Sequence, residues 1–227
     1  MAITKLGKFF NKRKETKFFK KASTEEVFTH IYDSNKWGDE DSVSGKGSNL
    51  KITEGLREAL PGILKQLDAD SMLDIPCGDF HWMKEIELPL KRYWGADIVK
   101  PLIKLNQRKF SSALREFVDL DLMHDPLPSV DVIFCRECLV HLSYADIAKA
   151  LDNIKRSDAS YLITTDFPEV QANSNCVTGN HHSLNFSLKP FNWPEPIIQY
   201  VEYNTGKRRG NKCLSVWKIG DIPAMSR

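Results

Sequence analysis

From residue 71 onward short apolar runs alternate with amphipathic stretches, and this alternation limits the fold more than any other feature of the chain. Strands are predicted at Met72–Ile75, Tyr93–Asp97, Glu116–Leu120, Val132–Cys135, Tyr161–Thr165, Ile197–Tyr203 and Cys213–Ile219. Helices fit at Phe80–Ile86, Lys100–Lys109 and Ala145–Lys155. Parallel neighbours need a crossover between them, so the pattern predicts an α/β fold with a doubly wound, mostly parallel seven-stranded sheet. No helix separates the last two strands. The turn-rich run Asn204–Lys212 joins them as a hairpin, which makes the last strand antiparallel.

Ahead of the sheet the chain divides in two. Residues 1–22 form a basic arm in which Lys5, Lys8, Lys12, Arg13, Lys14, Lys17, Lys20 and Lys21 face only Glu15, with Phe9, Phe10, Phe18 and Phe19 interleaved. Such an arm is a solvated tail or a contact for anionic lipid or nucleic acid. Residues 23–70 form an N-terminal helical extension. Ser23-Thr24-Glu25-Glu26 reads as a capping box, and Leu56, Leu60, Ile63, Leu64 and Leu67 fall at helical spacing, with Pro61 as a kink or restart. Between them lies a Gly/Ser-rich cap segment holding Trp37. Its run Ser42–Ser48 lacks the Gly-Lys-Ser/Thr ending of a phosphate loop. The sheet portion, 71–227, completes one compact domain with these helices.

The net charge of +2 across 227 residues does not mark a nucleic-acid partner. Five cysteines, an odd number, together with the lack of a secretory signal pattern or a membrane-length apolar run, predict reduced thiols in a cytoplasmic protein.

Two features locate a ligand site. Leu73-Asp74-Ile75-Pro76-Cys77-Gly78-Asp79-Phe80 carries a strand into a glycine turn at the switch point of the sheet. Asp97 ends the next strand about twenty residues later, the spacing at which an acid meets ribose hydroxyls. Together they indicate an adenosine-type ligand. After Gly78 come Asp79, Phe80, His81 and Trp82, a poor setting for a pyrophosphate. A ligand with a sulfonium and an amino group suits Asp74 and Asp79 instead.

These residues resemble the first motif of class I S-adenosylmethionine (SAM)-dependent methyltransferases, with Pro76 where glycine is commonest. Phe117-Val118-Asp119-Leu120-Asp121-Leu122 with Leu127-Pro128 is similar to their third motif, and Asp131–Cys135 with Leu139-Val140-His141-Leu142 to their fourth strand and its sequel. The resemblance spans roughly residues 50–219. It implies a Rossmann-like fold, methyltransferase activity and SAM as cofactor. The runs Asp74–Phe80 and Cys135–Leu142 look like a bacterial and phage subgroup that modifies glycans or small molecules.

Carried over, the resemblance implies that Asp74 and Gly78 line the methionine part, and Pro76, Asp79 and Trp82 are expected among the cofactor-binding residues. Asp97 binds both ribose hydroxyls, and Ile98 and Leu122 sandwich the adenine. Asp121, preferred to Asp119, accepts from the adenine amino group, and Cys135 offers backbone near the sulfonium.

Cys135-Arg136-Glu137-Cys138 is formally a C-x-x-C, but it stands late in the sheet and has no obvious fourth zinc ligand, so small buried thiols are expected and no metal. A hydroxyl acceptor needs a base, and His141 and Glu137 follow the fourth strand near the methyl position. His141 is equally readable as a structural histidine bonding a loop carbonyl. His181 and His182 stand in a loop of about thirty residues, 166–196, that has little periodicity. The N-terminal segment with Trp37 and that loop, with Phe186, Phe191 and Trp193, are expected to form a lid together; the alternative is that the loop aromatics are static cover for the sheet. The expected acceptor is a hydroxyl of a small molecule or glycan. A nucleic acid served by the basic arm and Lys207-Arg208-Arg209, or a non-catalytic SAM-binding module, is the alternative.

Overall fold

A computed structural model describes residues 14–204 and 210–225. Most of the basic arm and the triplet Lys207-Arg208-Arg209 therefore lie outside the described residues.

Seven strands form one sheet in the order β3-β2-β1-β4-β5-β7-β6. They are β1 (Ser71–Asp74), β2 (Arg92–Asp97), β3 (Arg115–Asp119), β4 (Val132–Cys135), β5 (Tyr161–Asp166), β6 (Ile198–Asn204) and β7 (Asn211–Lys218). The β1–β5 neighbours pair in parallel. β7 runs antiparallel to both β5 and β6, so the expected hairpin inserts its last strand beside β5. Strand order reverses between β1 and β4, with β2 paired to one side of β1 and β4 to the other.

Alternation along each strand feeds two cores. Leu73, Ile133, Leu162 and Trp217 enter one face, while Met72, Val132, Phe134, Ile163 and Val216 enter the other. Helix α2 (Glu54–Gln66) and helix α3 (Lys100–Phe110) cover the second face through Leu56, Leu60, Leu64 and Ile103. α2 continues through Pro61 without a break. Helix α4 (Tyr144–Arg156) covers the first face with Ile147, Ala150, Leu151 and Ile154. Helix α1 (Thr24–Asp33) starts at the expected capping box, where Glu26 returns to the Ser23 amide at 2.7 Å.

The helix expected at Phe80–Ile86 is absent, and only a 3-10 turn, Met83–Glu85, forms there. Phe80 adopts a positive φ of 57°, incompatible with a right-handed helix. That turn sends its ring among Tyr93, Phe110 and Phe117 at centroid distances of 5.1–5.4 Å.

The long loop forms neither helix nor strand, yet it is packed. Phe186 stacks on Trp193 at 4.2 Å and meets Phe191 and Trp217 at 4.8 and 5.9 Å. Its asparagines bond its own backbone. Asn185 donates to the carbonyls of Pro168 and Val170, and Asn173 donates to those of Asn185 and Lys189. These aromatics pack against Trp217 of β7. Among the described residues no helix is long and apolar enough to cross a membrane.

Because the Phe186 ring is wholly buried, Phe186→Ala leaves a cavity that this rigid cluster cannot close. Urea unfolding should show a loss of about 3–5 kcal/mol. A loss below about 1 kcal/mol would mean that the loop is loosely held.

Candidate active site

A cleft of about 140 Å³ lies at the carboxyl ends of β1 to β4, where strand order reverses. Each strand contributes through the turn that follows it. Asp74, Pro76, Gly78 and Trp82 come from the first turn, Asp97 and Ile98 from the second, Asp121 and Leu122 from the third, and Glu137 and His141 from the fourth. Two predicted residues stand aside. Cys135 is fully buried beneath the floor, where its carbonyl accepts from Thr164 Oγ1 at 2.8 Å. Asp79 faces the N-terminal segment.

Gly78 has φ 56°, and a Cβ there would collide with the Ser44 hydroxyl. Its amide donates to Asp97 Oδ2 at 3.1 Å, and the Val99 amide donates to Asp97 Oδ1 at 3.0 Å. Burial pushes the Asp97 carboxyl up to about 6, although both amides favour its charged form. Asp74 is also buried. Burial pushes its carboxyl up to about 7, against the hydrogen bond it accepts from the Tyr93 hydroxyl at 2.5 Å. Asp121, rather than Asp119, lines the cleft, with Oδ1 accepting from the Met123 amide and Oδ2 2.9 Å from His124 Nδ1.

The N-terminal segment roofs this space. Ser42 and Ser44 donate their hydroxyls, and Val43 its amide, to the Asp79 carboxylate at 2.9–3.2 Å. The Ser44 hydroxyl in turn accepts from the Asp79 amide at 3.0 Å. Asp79 thus fastens the strap to the Gly78 turn. Trp37 lies on the His141 ring at a centroid distance of 4.8 Å.

The turn after β4 brings Glu137 and His141 to the cleft. Glu137 has φ 54°, a conformation a non-glycine residue keeps only when its surroundings impose it. Thr165 Oγ1 imposes it by accepting the Glu137 amide at 2.8 Å. His141 Nδ1 lies 3.0 Å from the Asn180 carbonyl, which only accepts, so Nδ1 carries the hydrogen. The neutral ring then keeps its lone pair on Nε2, 3.9 Å from Glu137 Oε2. The ring thus bonds a loop carbonyl through Nδ1, and no hydrogen bond occupies Nε2 among the described residues. Burial pushes the imidazole down, which outweighs the Glu137 carboxylate and favours the neutral form. Of the two loop histidines, His181 lies 5.3 Å from the His141 ring and His182 is buried against the Ser174 carbonyl.

Beneath this turn is a network that the motifs did not reveal. Arg136 forks onto Glu202 of β6 at 2.6–3.2 Å, and Lys212 of β7 pairs with Glu202 at 3.2 Å and with Glu137. Arg136, Glu202 and Lys212 are almost fully buried. Burial alone would raise the Glu137 carboxyl, but Lys212 and Arg136 beside it hold it at about 2. The available signal was a charged residue inside each apolar strand of the hairpin, Glu202 after Val201 and Lys212 before Cys213.

Residues 73–157 match a family described as Methyltransferase domain. That matched segment contains the carboxyl ends of β1 to β4. No curated protein matches the chain by sequence. Among solved structures, the N-methyltransferase NodS from Bradyrhizobium japonicum with S-adenosyl-l-homocysteine is 14% identical, with 83% of this chain and 97% of that chain covered and a TM-score of 0.59. Magnesium protoporphyrin IX methyltransferase from Synechocystis with bound SAM is 12% identical, with 86% and 97% covered and a TM-score of 0.55. The chain spans 42% of human N-acetylserotonin methyltransferase, to which it is 19% identical over 64% of its own length with a TM-score of 0.46. The likenesses to NodS and to the Synechocystis enzyme show that the chain shares their Rossmann-like fold.

The two cleft carboxyls give the protein a pH signature. Their folded values, about 7 for Asp74 and about 6 for Asp97, exceed the usual 3.8, so their contribution to stability is full at low pH and lost as pH rises through those values. Asp74→Asn keeps an acceptor for Tyr93 and removes one titration. Between about pH 5 and about pH 8 the native protein should lose about 1–3 kcal/mol more than this variant in urea unfolding. Equal losses would mean that Asp74 is ionised throughout that range.

Proposed function

We propose that the protein transfers the methyl group of SAM to a hydroxyl of a small molecule or glycan. When bound, SAM would supply an electrophilic methyl on its sulfonium, and the acceptor oxygen would bond that carbon in line as the carbon–sulfur bond breaks and S-adenosylhomocysteine leaves. The cleft residues fit this cofactor. Asp97 spends two acceptor sites on amides and retains others for the ribose hydroxyls. Ile98 and Leu122 flank the adenine and Asp121 faces its amino group. Asp74, Pro76, Gly78 and Trp82 surround the methionine part, where an acid favours the cationic groups. Asp79 acts on this part indirectly, by holding the strap, and Cys135 supports the floor from beneath.

The observation that carries the acceptor reading is the neutral His141 with its free Nε2 in the cleft. Nε2 takes the proton of the acceptor hydroxyl as the oxygen attacks. The nearby Glu137 carboxylate then stabilises the imidazolium. Glu137 itself, held at about 2, is a poor base and serves as the charge partner. Trp37, lying on the His141 ring, excludes water from the reacting atoms. The resemblance of residues 74–80 and 135–142 to the glycan- and small-molecule-modifying subgroup supports the acceptor class.

A screen with methyl-labelled SAM over hydroxyl- and amine-bearing metabolites, glycans and nucleic acids tests this reading. On the acceptor found, His141→Gln should lower kcat about 10²- to 10⁴-fold while binding of S-adenosylhomocysteine stays unchanged. Undiminished turnover would remove His141 as the base. Label appearing only in nucleic acid would replace the acceptor class.

A further inference from the structure

Lys212 is an anomaly in the hairpin. Its side chain is 1% exposed, and the next residues of the strand on its face, Leu214 and Val216, are apolar. A lysine needed only to balance Glu202 would stop there, since Arg136 already forks onto that carboxylate. Lys212 instead also reaches Glu137, a cleft residue whose side chain is 27% exposed.

The geometry at Glu137 explains what that second pairing does. One carboxylate oxygen, Oε1, is taken by Lys212. The other, Oε2, stands 3.9 Å from His141 Nε2, beyond hydrogen-bond distance. A carboxylate free of Lys212 would close on Nε2 and hold the imidazole protonated, and a protonated imidazole cannot accept a proton. The two cations and two anions of the network balance, so the ring faces a pre-paired carboxylate and not a bare one. The other groups that face the ring are the Asn180 carbonyl, the Trp37 ring of the N-terminal segment, and His181 and His182 of the loop. None of these carries a second carboxylate.

We infer that Lys212 is a positioning residue of the transfer site: from β7 it fixes the Glu137 carboxylate beside His141, so that the β6–β7 hairpin controls the state of the base. This rests on the reading of His141 as the base, and it assigns to the hairpin a part in the chemistry at the other end of the network.

The test reads His141 directly and needs no acceptor. NMR titration of the His141 ring is carried out on the full chain, alone and with S-adenosylhomocysteine, in the native protein and in Lys212→Met, Lys212→Arg and Lys212→Met/Glu202→Gln. The double variant keeps one buried cation and one buried anion, Arg136 and Glu137, and so remains available if Lys212→Met fails to fold. The His141 midpoint should rise by about half a pH unit or more in both methionine variants and return towards the native value in Lys212→Arg. A native midpoint in a folded methionine variant that still binds S-adenosylhomocysteine would overturn the inference. Undiminished turnover of His141→Gln would overturn the base reading without touching this titration, so the two failures are distinguishable.

Discussion

The Asp97 carboxylate accepts one amide from the turn after β1 and another from the turn after its own strand, and it does so away from bulk water. Those two hydrogen bonds fix the relative position of the two turns that form one wall of the cleft. They also leave the carboxylate oriented, with acceptor capacity directed at whatever occupies the space. Burial makes the charged form costly, which raises its pKa, so a ligand that offers hydroxyl donors gains by stabilising it. The parallel register of β1 with β2 places Asp74 opposite Gly95 and brings Tyr93 within reach of Asp74 by the same wall. Sheet topology and site electrostatics are thus consequences of one arrangement.

The opposite wall is built on a different principle. After β4 the chain turns through an unfavourable conformation at Glu137, secured by Thr165, and the side chains on either side of that turn diverge. Arg136 goes down into the hairpin and Glu137 goes up towards His141. Breaking one partner out of such a buried network costs about 3–5 kcal/mol, because it leaves an unpaired charge. The turn is therefore rigid where it meets the acceptor side. The roof is held by polar contacts alone at its strap, through Ser42, Val43 and Ser44 on Asp79. Elsewhere it is held by apolar contacts that include Trp37 on His141 and on Phe28, and Leu50 on the core. Of the two walls and the roof, the roof is the part whose opening disrupts the least buried structure.

Much of this was legible in the sequence. The period of two in β1 to β5 and the period of 3.6 in α2 to α4 placed those elements within a few residues, because each buries a continuous face. The cofactor wall was legible as well, since Gly78 and Asp97 lie at a spacing set by one strand–turn–strand unit. The Phe80–Ile86 segment was misread because its apolar residues fit a helical face, whereas Phe80 in fact turns back into the aromatic cluster. Long-range pairings were not legible. Nothing local to Asp79 indicates Ser42 and Ser44, and nothing local to Glu137 indicates Lys212, 75 positions later. Nor does anything local to the aromatics of the 166–196 loop indicate Trp217 of β7, against which they pack.

The central claim is that the cleft at the reversal of strand order takes SAM through Asp97. Calorimetric titration of S-adenosylhomocysteine into the native protein and into Asp97→Ala, with NAD as a control, tests it most directly. The account predicts binding to the native protein, a loss of about 2–3 kcal/mol in the folded variant, and no comparable binding of NAD. Unchanged affinity in Asp97→Ala, or NAD binding as tightly as S-adenosylhomocysteine, would contradict it.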